Sequence, residues 1–509
     1  MVQSCAIKNI LLLISHFIVY LSMHHMTILW WKGGLPMQIT PTIRAELDRY
    51  LKQKGLSLTQ FGHIAGINRG IVSSIVTGNK SMSVNQLDRI TEAMGLAEGY
   101  FYDLFIENYI IDFPPNMRRI ERLLYRCAEL DKLDAISRIV GQIMDNLLYS
   151  PKLFDIAEAL LAQGRHHAAL LLYEGVAEAE KYQHSERLAI CQYRIFTIQI
   201  GDDQSRNLRA ASIFDAFVER LDEVEQLDAL KDLANVYRSL RKWDKVDEMA
   251  RKMRAKAKIQ YTLKHQQNSR ELNEASKKLS RPMFVYITYA DLLCASVCEA
   301  QGDYQQALQY TYAYANLDWV KETDEDALYW IKLYQHWAQA NVLANKLLSG
   351  DASVLHEYLN YIDASSDTIQ EDRVTQLLNI MIAANRYKLD VNDILKRFET
   401  EIASFSQQPS SDDMYTQQVI PDYSAWCGYE LAYYYLNQGM HGDGFNQMLC
   451  AMVKAHILNN ETYFINCIGL FVRFKAHAVP EIKTEFFNLI EKVWWLNNVE
   501  KSGNADRCE

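Results

Sequence analysis

Apolar residues recur at helical spacing from residue 42 onward, and short glycine-containing turns separate the segments that carry them. The first segment, over 42–54, ends at Gly55. Its apolar positions are Ile43, Leu47, Tyr50 and Leu51. Three further amphipathic segments cover 58–65, 68–76 and 83–94. The pattern predicts a small bundle of four short helices.

The connection between the second and third helices carries a specific signal. Ser57 and Gln60 have the S-x-x-Q spacing of a capping box, which starts the second helix. Gly66 tolerates a left-handed turn, Ile67 can fill the core, and Asn68 can cap the third helix. A helix, a three-residue turn and a second helix within such a bundle predict the helix-turn-helix geometry that enters the DNA major groove.

The run LSLTQFGHIAGINRGIVSSIVTGNK, residues 56–80, resembles the XRE (lambda-repressor-like) DNA-binding domain. The resemblance covers residues 43–105 and implies a DNA-binding domain over 37–105, with a recognition helix from about Asn68 to Val76. The candidate DNA-binding residues are Ser57, Gln60, Asn68, Arg69, Gly70, Ser73, Ser74 and Lys80. Leu58 departs from the glutamine often found there, and Gly70 has no side chain. We therefore expect base reading to depend mainly on Asn68, Arg69 and Ser73.

Charge supports this location. The whole chain has a net charge of −10, which argues against binding of nucleic acid by bulk electrostatics. Between Thr42 and Ile90, however, seven basic and three acidic residues give a net charge of +4. A second basic run, over 251–258, is interpreted as a solvated helix face, with a contact to DNA or an acidic partner as the alternative.

Four later segments share one shape, a helix pair with a small residue at its packing point. They are 156–180, 233–257, 292–316 and 431–455, and their small residues are Ala157, Ala234, Ala295 and Ala432. The predicted turn markers are Gly164, Gly201, Arg241, Gly302, Arg386 and Gly439. The segments resemble the tetratricopeptide repeat, most closely at 295–307. The resulting expectation is an all-α chain whose residues 117–500 form a right-handed superhelix, including a further helix pair at 327–348 and 353–363.

The concave groove of such an array suits an extended peptide. Asn235 and Asn379 fall at the position that faces this groove, where an amide can bind a peptide backbone, and Arg238 can hold a carboxylate. The alternative for the two asparagines is an ordinary solvated position or a contact between repeats. An XRE-like domain joined to such repeats resembles the RRNPP peptide quorum-sensing regulators. That resemblance implies an operator on double-stranded DNA, a short signalling peptide and a homodimer formed through the array. The alternative is a scaffold or phage-type repressor whose array binds a partner protein.

The segments outside these two regions allow more than one interpretation. The apolar run at 10–31 lies within 1–36, and it fits translation that starts at Met37, a membrane anchor or an ordered apolar helix. Residues 106–116 are predicted to be a linker and 501–509 a polar tail.

The remaining composition argues against catalysis. Nine scattered cysteines without a C-x-x-C pair fit free thiols in a reducing cytoplasm. No phosphate-binding glycine loop, zinc-protease motif or nucleophile-elbow motif occurs in the sequence. The sequence therefore predicts a cytoplasmic protein that is not an enzyme and that needs no cofactor or metal.

Overall fold

The structure is a computed structural model that describes residues 42–79, 81–111, 116–266, 279–364, 370–404, 414–458 and 460–505. Throughout these ranges the regular elements are helices, and no strand occurs. The predicted all-α fold class is confirmed. Lys80 and the apolar run at 10–31 lie outside the described residues.

Seven helices form the first part of the chain. They are α1 (Ile43–Lys54), α2 (Leu58–Ile64), α3 (Arg69–Thr77), α4 (Val84–Ala93), α5 (Tyr102–Ile106), α6 (Met117–Glu129) and α7 (Leu133–Ile143). A π-helical turn, Glu107–Ile111, continues α5. The predicted linker, 106–116, begins at the last residue of α5 and includes this turn, and its residues Ile106, Tyr109 and Ile110 are buried.

Seventeen further helices follow within the described ranges. They are α8 (Ser150–Ala162), α9 (His166–Ala179), α10 (Glu186–Gln199), α11 (Gln204–Asp215), α12 (Glu225–Ser239), α13 (Trp243–Gln266), α14 (Met283–Ala300), α15 (Tyr304–Ala315), α16 (Glu325–Leu348), α17 (Leu355–Ala364), α18 (Gln370–Tyr387), α19 (Asn392–Arg397), α20 (Glu399–Ser404), α21 (Met414–Asn437), α22 (His441–Ile457), α23 (Glu461–Phe474) and α24 (Pro480–Ala505). The extra helix pair expected near 327–348 and 353–363 is present as α16 and α17.

The chain divides into two compact units. One contains the described residues up to Asp145 together with Ala159–Leu171, and the other contains Asn146–Glu158 and the described residues from Leu172 onward. In the second unit consecutive helices pack against each other from α10 to α18 and again from α21 to α23.

One turn geometry recurs between paired helices. A residue with positive φ ends the first helix, and the N–H of the following residue donates to the carbonyl five positions earlier, at 2.8–3.0 Å. This is the hydrogen bond of the Schellman motif, which satisfies a carbonyl that the helix end leaves open. It occurs at Asp131, Gly164, Arg241, Gly302, Gly350, Lys388 and Gly439. Four predicted turn markers are therefore confirmed, whereas Arg386 lies inside α18 and the turn is at Lys388.

The small residues at the predicted packing points are buried. Ala157, Ala234 and Ala432 are completely buried, and Ala295 is 2% exposed. On α22, a Cβ added to Gly444 would lie 2.6 Å from Leu436 Cγ on α21. Small side chains therefore allow the paired helices to approach closely, as the repeat pattern predicts.

Helix α14 is long and apolar enough to cross a bilayer by length and composition, and among the described helices it alone meets that test. Within the structure, 67% of this stretch is buried. It packs in one apolar core with α12, α13 and α16, where Phe284, Ala290 and Leu293 are completely buried. Burial in a protein core accounts for its composition.

Candidate nucleic-acid interface and ligand site

The turn between α2 and α3 depends on two glycines. Gly66 has φ of 61°, a conformation that glycine adopts readily. Ile67 is only 6% exposed, and its N–H donates to the Gly62 carbonyl at 2.8 Å. A Cβ added to Gly62 would lie 2.6 Å from the Ile67 carbonyl oxygen. The turn thus approaches α2 at a distance that only glycine permits at position 62.

The predicted caps are confirmed, and they are formed by the side chains of three candidate DNA-binding residues. Asn68 Oδ1 accepts the Gly70 N–H at 2.8 Å at the start of α3. At the start of α2 the Gln60 N–H donates to Ser57 Oγ at 3.3 Å, and the Ser57 N–H donates to Gln60 Oε1 at 2.9 Å. All three side chains remain exposed, so each can still contact a ligand from its cap.

Helix α3 presents a polar face opposite a buried one. Val72 and Ile75 are completely buried. On the other side Arg69 and Gly70 are exposed and Ser73 and Ser74 are half-buried. Ser74 Oγ donates to the Gly70 carbonyl at 2.8 Å, which leaves its oxygen able to accept. Among the described residues, the Arg69 guanidinium has no ion pair or hydrogen bond.

Ion pairs neutralise three acidic residues near the helix-turn-helix motif. Glu46 pairs with Arg49 at 3.0 Å, and Asp48 pairs with Lys52 at 2.6 Å, both on α1. Asp88 pairs with Arg126 at 3.2 Å. Residues 49–87 contain no Asp or Glu. The segment that carries α2 and α3 therefore has a formal positive charge, which favours contacts to phosphates.

Two arginines that were not predicted as DNA-binding residues lie near the two ends of α3. The Arg44 guanidinium lies against Gly78, the residue that ends α3, and 5.9 Å above the Tyr109 ring. Arg89 donates to the Gly66 carbonyl at 3.0 Å. Both appear in the sequence only as part of the local charge, because their positions depend on contacts between separate helices.

Four of the five cations in the basic run at 251–258 are paired with acids. Arg251 pairs with Asp247 at 2.7 Å, and Lys252 pairs with Glu248 at 2.7 Å. The next two cations pair with other helices, Arg254 with Asp291 at 3.0 Å and Lys256 with Glu219 at 2.8 Å. This pairing favours the interpretation of the run as a structural helix face.

The three candidate peptide-binding residues all contact tyrosines of other helices. Asn235 Oδ1 accepts a hydrogen bond from Tyr289 of α14. Arg238 Nη2 donates to Tyr423 Oη of α21 at 3.3 Å, and Asn379 Nδ2 donates to Tyr358 Oη of α17 at 3.4 Å. Asn235 and Arg238 lie one turn apart on α12, whereas Asn379 lies on α18, whose apolar residues belong to a separate core.

Helices α12 and α21 meet although about 180 residues separate them in sequence. Next to the Arg238 contact, Arg241 forms an ion pair with Asp422 at 2.9 Å. Asn460 Nδ2 donates to the same Asp422 oxygen at 2.6 Å. These bonds join the core that contains α12 to the one that contains α21, a closure that the repeat pattern did not predict.

The described ranges contain no group of three or more His, Cys, Asp or Glu side chains that could hold a metal ion. The described cysteines are free. Burial raises the pKa of Cys191, Cys294 and Cys467 to about 12. These thiols are protonated at neutral pH and unsuited to nucleophilic chemistry.

Comparisons with known proteins show a distant likeness to a solved structure. No family model matches the chain, and no curated protein matches it. Among solved structures, it is similar to Bacillus thuringiensis PlcR in complex with the peptide PapR7 and DNA. The identity is 12% and the TM-score is 0.17, over 84% of this chain and 99% of that one. This likeness is too distant to carry a function from one protein to the other.

Proposed function

We propose that this chain is a cytoplasmic DNA-binding transcription regulator whose activity is controlled by a short peptide bound in its helical array. In this proposal residues 37–105 bind the operator and residues 117–500 bind the peptide and dimerise. The observation that carries the DNA-binding part is the closely packed turn between α2 and α3, which holds an exposed, acid-free polar face. Such a face, with cations at both ends, matches what a major groove and its phosphates require.

Side-chain chemistry supports direct contacts to DNA. Arg69 is exposed at the first turn of α3 and can donate two hydrogen bonds to a guanine edge. Ser73 lies one turn further on the same face and can reach a base or a phosphate. The helix dipoles favour anions at the starts of α2 and α3, where the capping residues Ser57 and Asn68 are exposed.

Peptide control is supported by the polar side chains of α12. Asn235 and Arg238 are half-buried, so they are accessible in part while held by neighbouring tyrosines. An amide that accepts and donates suits a peptide backbone, and a guanidinium suits a carboxylate. A peptide that binds here competes with the contact between Arg238 and Tyr423, and so acts directly on the junction of α12 and α21.

Dimerisation is supported by apolar side chains exposed on the last helices. Ile457 of α22 is 71% exposed, Ile465 of α23 is 63% exposed and Phe487 of α24 is 57% exposed. Apolar side chains on neighbouring helices provide the surface that a second copy would cover. Sedimentation velocity of the full chain and of Ile465→Lys tests this. We expect a dimer that the substitution dissociates, and a monomeric wild type would contradict it.

Fluorescence anisotropy tests the whole proposal. The full chain is titrated onto a labelled fragment from upstream of its own gene, at fixed salt, with and without short peptides from the culture medium. We expect binding that is stronger than to a scrambled fragment and that changes on peptide addition. Binding that is indifferent to every peptide would favour an array that binds a partner protein, and equal binding to both fragments would contradict operator recognition.

A further inference from the structure

Helix α6, the first helix of the predicted array, carries four arginines on one side. They are Arg118, Arg119, Arg122 and Arg126, and we call them the α6 stripe. Because successive helical residues are about 100° apart, these positions share roughly a third of the helix circumference. The opposite side of the helix is buried and consists of Ile120, Leu123, Leu124, Cys127 and Ala128.

The stripe begins beside the end of α3, the proposed recognition helix. Arg119 Nη2 donates to Ser81 Oγ at 2.8 Å in the connection from α3 to α4, and Nη1 donates to the Tyr109 carbonyl at 3.3 Å. The guanidiniums of Arg119 and Arg44 each lie 5.9 Å from the centroid of the Tyr109 ring. Arg44 in turn lies against Gly78, where α3 ends. One buried ring therefore links the start of α6 to the end of α3.

The other end of the stripe is fixed to the DNA-binding domain by ion pairs. Arg126 pairs with Asp88 of α4 at 3.2 Å and with Glu98 at 2.9 Å, and it also pairs with Glu129 of its own helix. Tyr102 Oη donates to Asp88 Oδ1 at 2.8 Å. Contacts at both ends thus hold α6 against the domain, and the acids at this end are neutralised.

The start of the stripe has no bound acid. Arg118 and Arg122 are exposed and lie one turn apart, and within the described ranges neither side chain forms an ion pair or a hydrogen bond. In the same ranges Arg44 and Arg119 form no ion pair. The acid between the two exposed arginines, Glu121, is half-buried and has a partner. Four guanidiniums on α1 and the start of α6 therefore lack an anion among the residues that the structure describes.

These cations fit the phosphates of a DNA backbone. A guanidinium binds a phosphate through two parallel hydrogen bonds, which makes arginine well suited to this contact. A helix that lies on a lipid surface needs exposed apolar side chains, and α6 exposes no large one. The position of the stripe beside α3 also places it next to any duplex that α3 enters.

We infer that α6 is a second DNA-contacting surface, on which Arg118 and Arg122 bind phosphates beside the operator. The inference depends on the proposed function, because α3 must first place the duplex. Phosphate contacts carry no sequence information, so α6 strengthens binding and leaves the choice of operator to α3. Arg119, held by Ser81 and Tyr109, is a positioning residue that fixes the stripe beside α3.

The salt dependence of DNA binding tests this surface. Anisotropy titrations of the full chain use the labelled operator fragment and a scrambled fragment, between about 50 and 200 mM salt. The variant Arg118→Gln/Arg122→Gln removes both exposed arginines of α6. Its control, Arg206→Gln/Arg209→Gln, removes two exposed arginines of α11 and changes the net charge by the same amount. Hydroxyl-radical footprints of the operator fragment locate the backbone positions that each protein protects.

We expect the slope of log affinity against log salt concentration to become shallower by about one for each arginine that the complex loses. Affinity at about 0.1 M salt should fall about 10- to 100-fold on both fragments, so the preference for the operator is retained. The footprint of the α6 variant should lose protection at its edge. The α11 control should behave as the wild type.

An unchanged slope and footprint in the α6 variant would overturn this surface while operator recognition stands. Equal changes of slope in the α6 and α11 variants would also overturn it, because the effect would then be one of net charge. If the wild type binds neither fragment, the proposed function fails, and this surface fails with it.

Discussion

Substitution of Gly62 by alanine tests the helix-turn-helix geometry most sharply. The added Cβ would lie 2.6 Å from the Ile67 carbonyl oxygen, so α2 must separate from the turn that leads into α3. Overpacking of this kind costs about 1–3 kcal/mol, and weakening the hydrogen bond from Ile67 N–H to the Gly62 carbonyl costs about 1 kcal/mol. The better helix propensity of alanine returns about 1 kcal/mol. We therefore expect the turn to be destabilised by about 1–3 kcal/mol.

Hydrogen–deuterium exchange of the full chain measures this locally. Amides of α2 and α3 should exchange about 5- to 150-fold faster in Gly62→Ala, since about 1.4 kcal/mol corresponds to a factor of ten. Gly141→Ala is the matched control, because Gly141 is an exposed residue of α7 with no atom within 4 Å of an added Cβ. This control should slow exchange of the α7 amides, with a gain of about 0.5–1 kcal/mol. Unchanged or slower exchange of α2 and α3 in Gly62→Ala would refute the close approach of the two helices.

Three further predictions concern DNA, peptide and pH. Arg69→Ala should weaken operator binding by about 1–3 kcal/mol in an anisotropy titration. The control is Arg209→Ala, which removes an exposed arginine of α11 and should leave operator binding unchanged. Equal losses in the two variants would exclude Arg69 from the interface. Asn235→Ala should reduce peptide retention about tenfold with DNA affinity unchanged, and full retention would exclude Asn235 from the site. Burial raises the pKa of Asp291 from 3.8 to about 6, so its folded form keeps a proton that the unfolded chain has lost. The free energy of unfolding should therefore fall as the pH rises from about 4 to about 6, and this group contributes up to about 3 kcal/mol to the decrease. Urea titrations of the wild type and of Asp291→Asn measure this difference. Parallel pH profiles of these two proteins would contradict it.

Local patterns predicted the local structure well. The Ser57 and Gln60 capping box, the left-handed Gly66 and the Asn68 cap are all present, because each depends on residues within a few positions of one another. The helix pairs of the array were predicted for the same reason, since small residues and turn markers repeat along the chain. Arg386 was misplaced as a turn marker because a non-glycine residue, Lys388, adopts the left-handed conformation two positions later.

Contacts between distant segments could not be predicted in this way. Arg238 was selected for its position on one helix, but Tyr423, which accepts a hydrogen bond from it, comes from α21. The positions of Arg44 and Arg89 at the recognition motif likewise depend on how separate helices pack. No spacing in the sequence links such residues, because the fold alone brings them together.

Protection of backbone amides on DNA binding tests the central claim most directly. The full chain is exchanged in deuterium with the labelled operator fragment, with a scrambled fragment and without DNA. The account predicts that operator DNA slows exchange at the exposed starts of α2 and α3, residues 57–60 and 68–74, and that Arg69→Ala reduces this protection. Operator binding that leaves these amides unchanged, or protects the basic run at 251–258 instead, would contradict it.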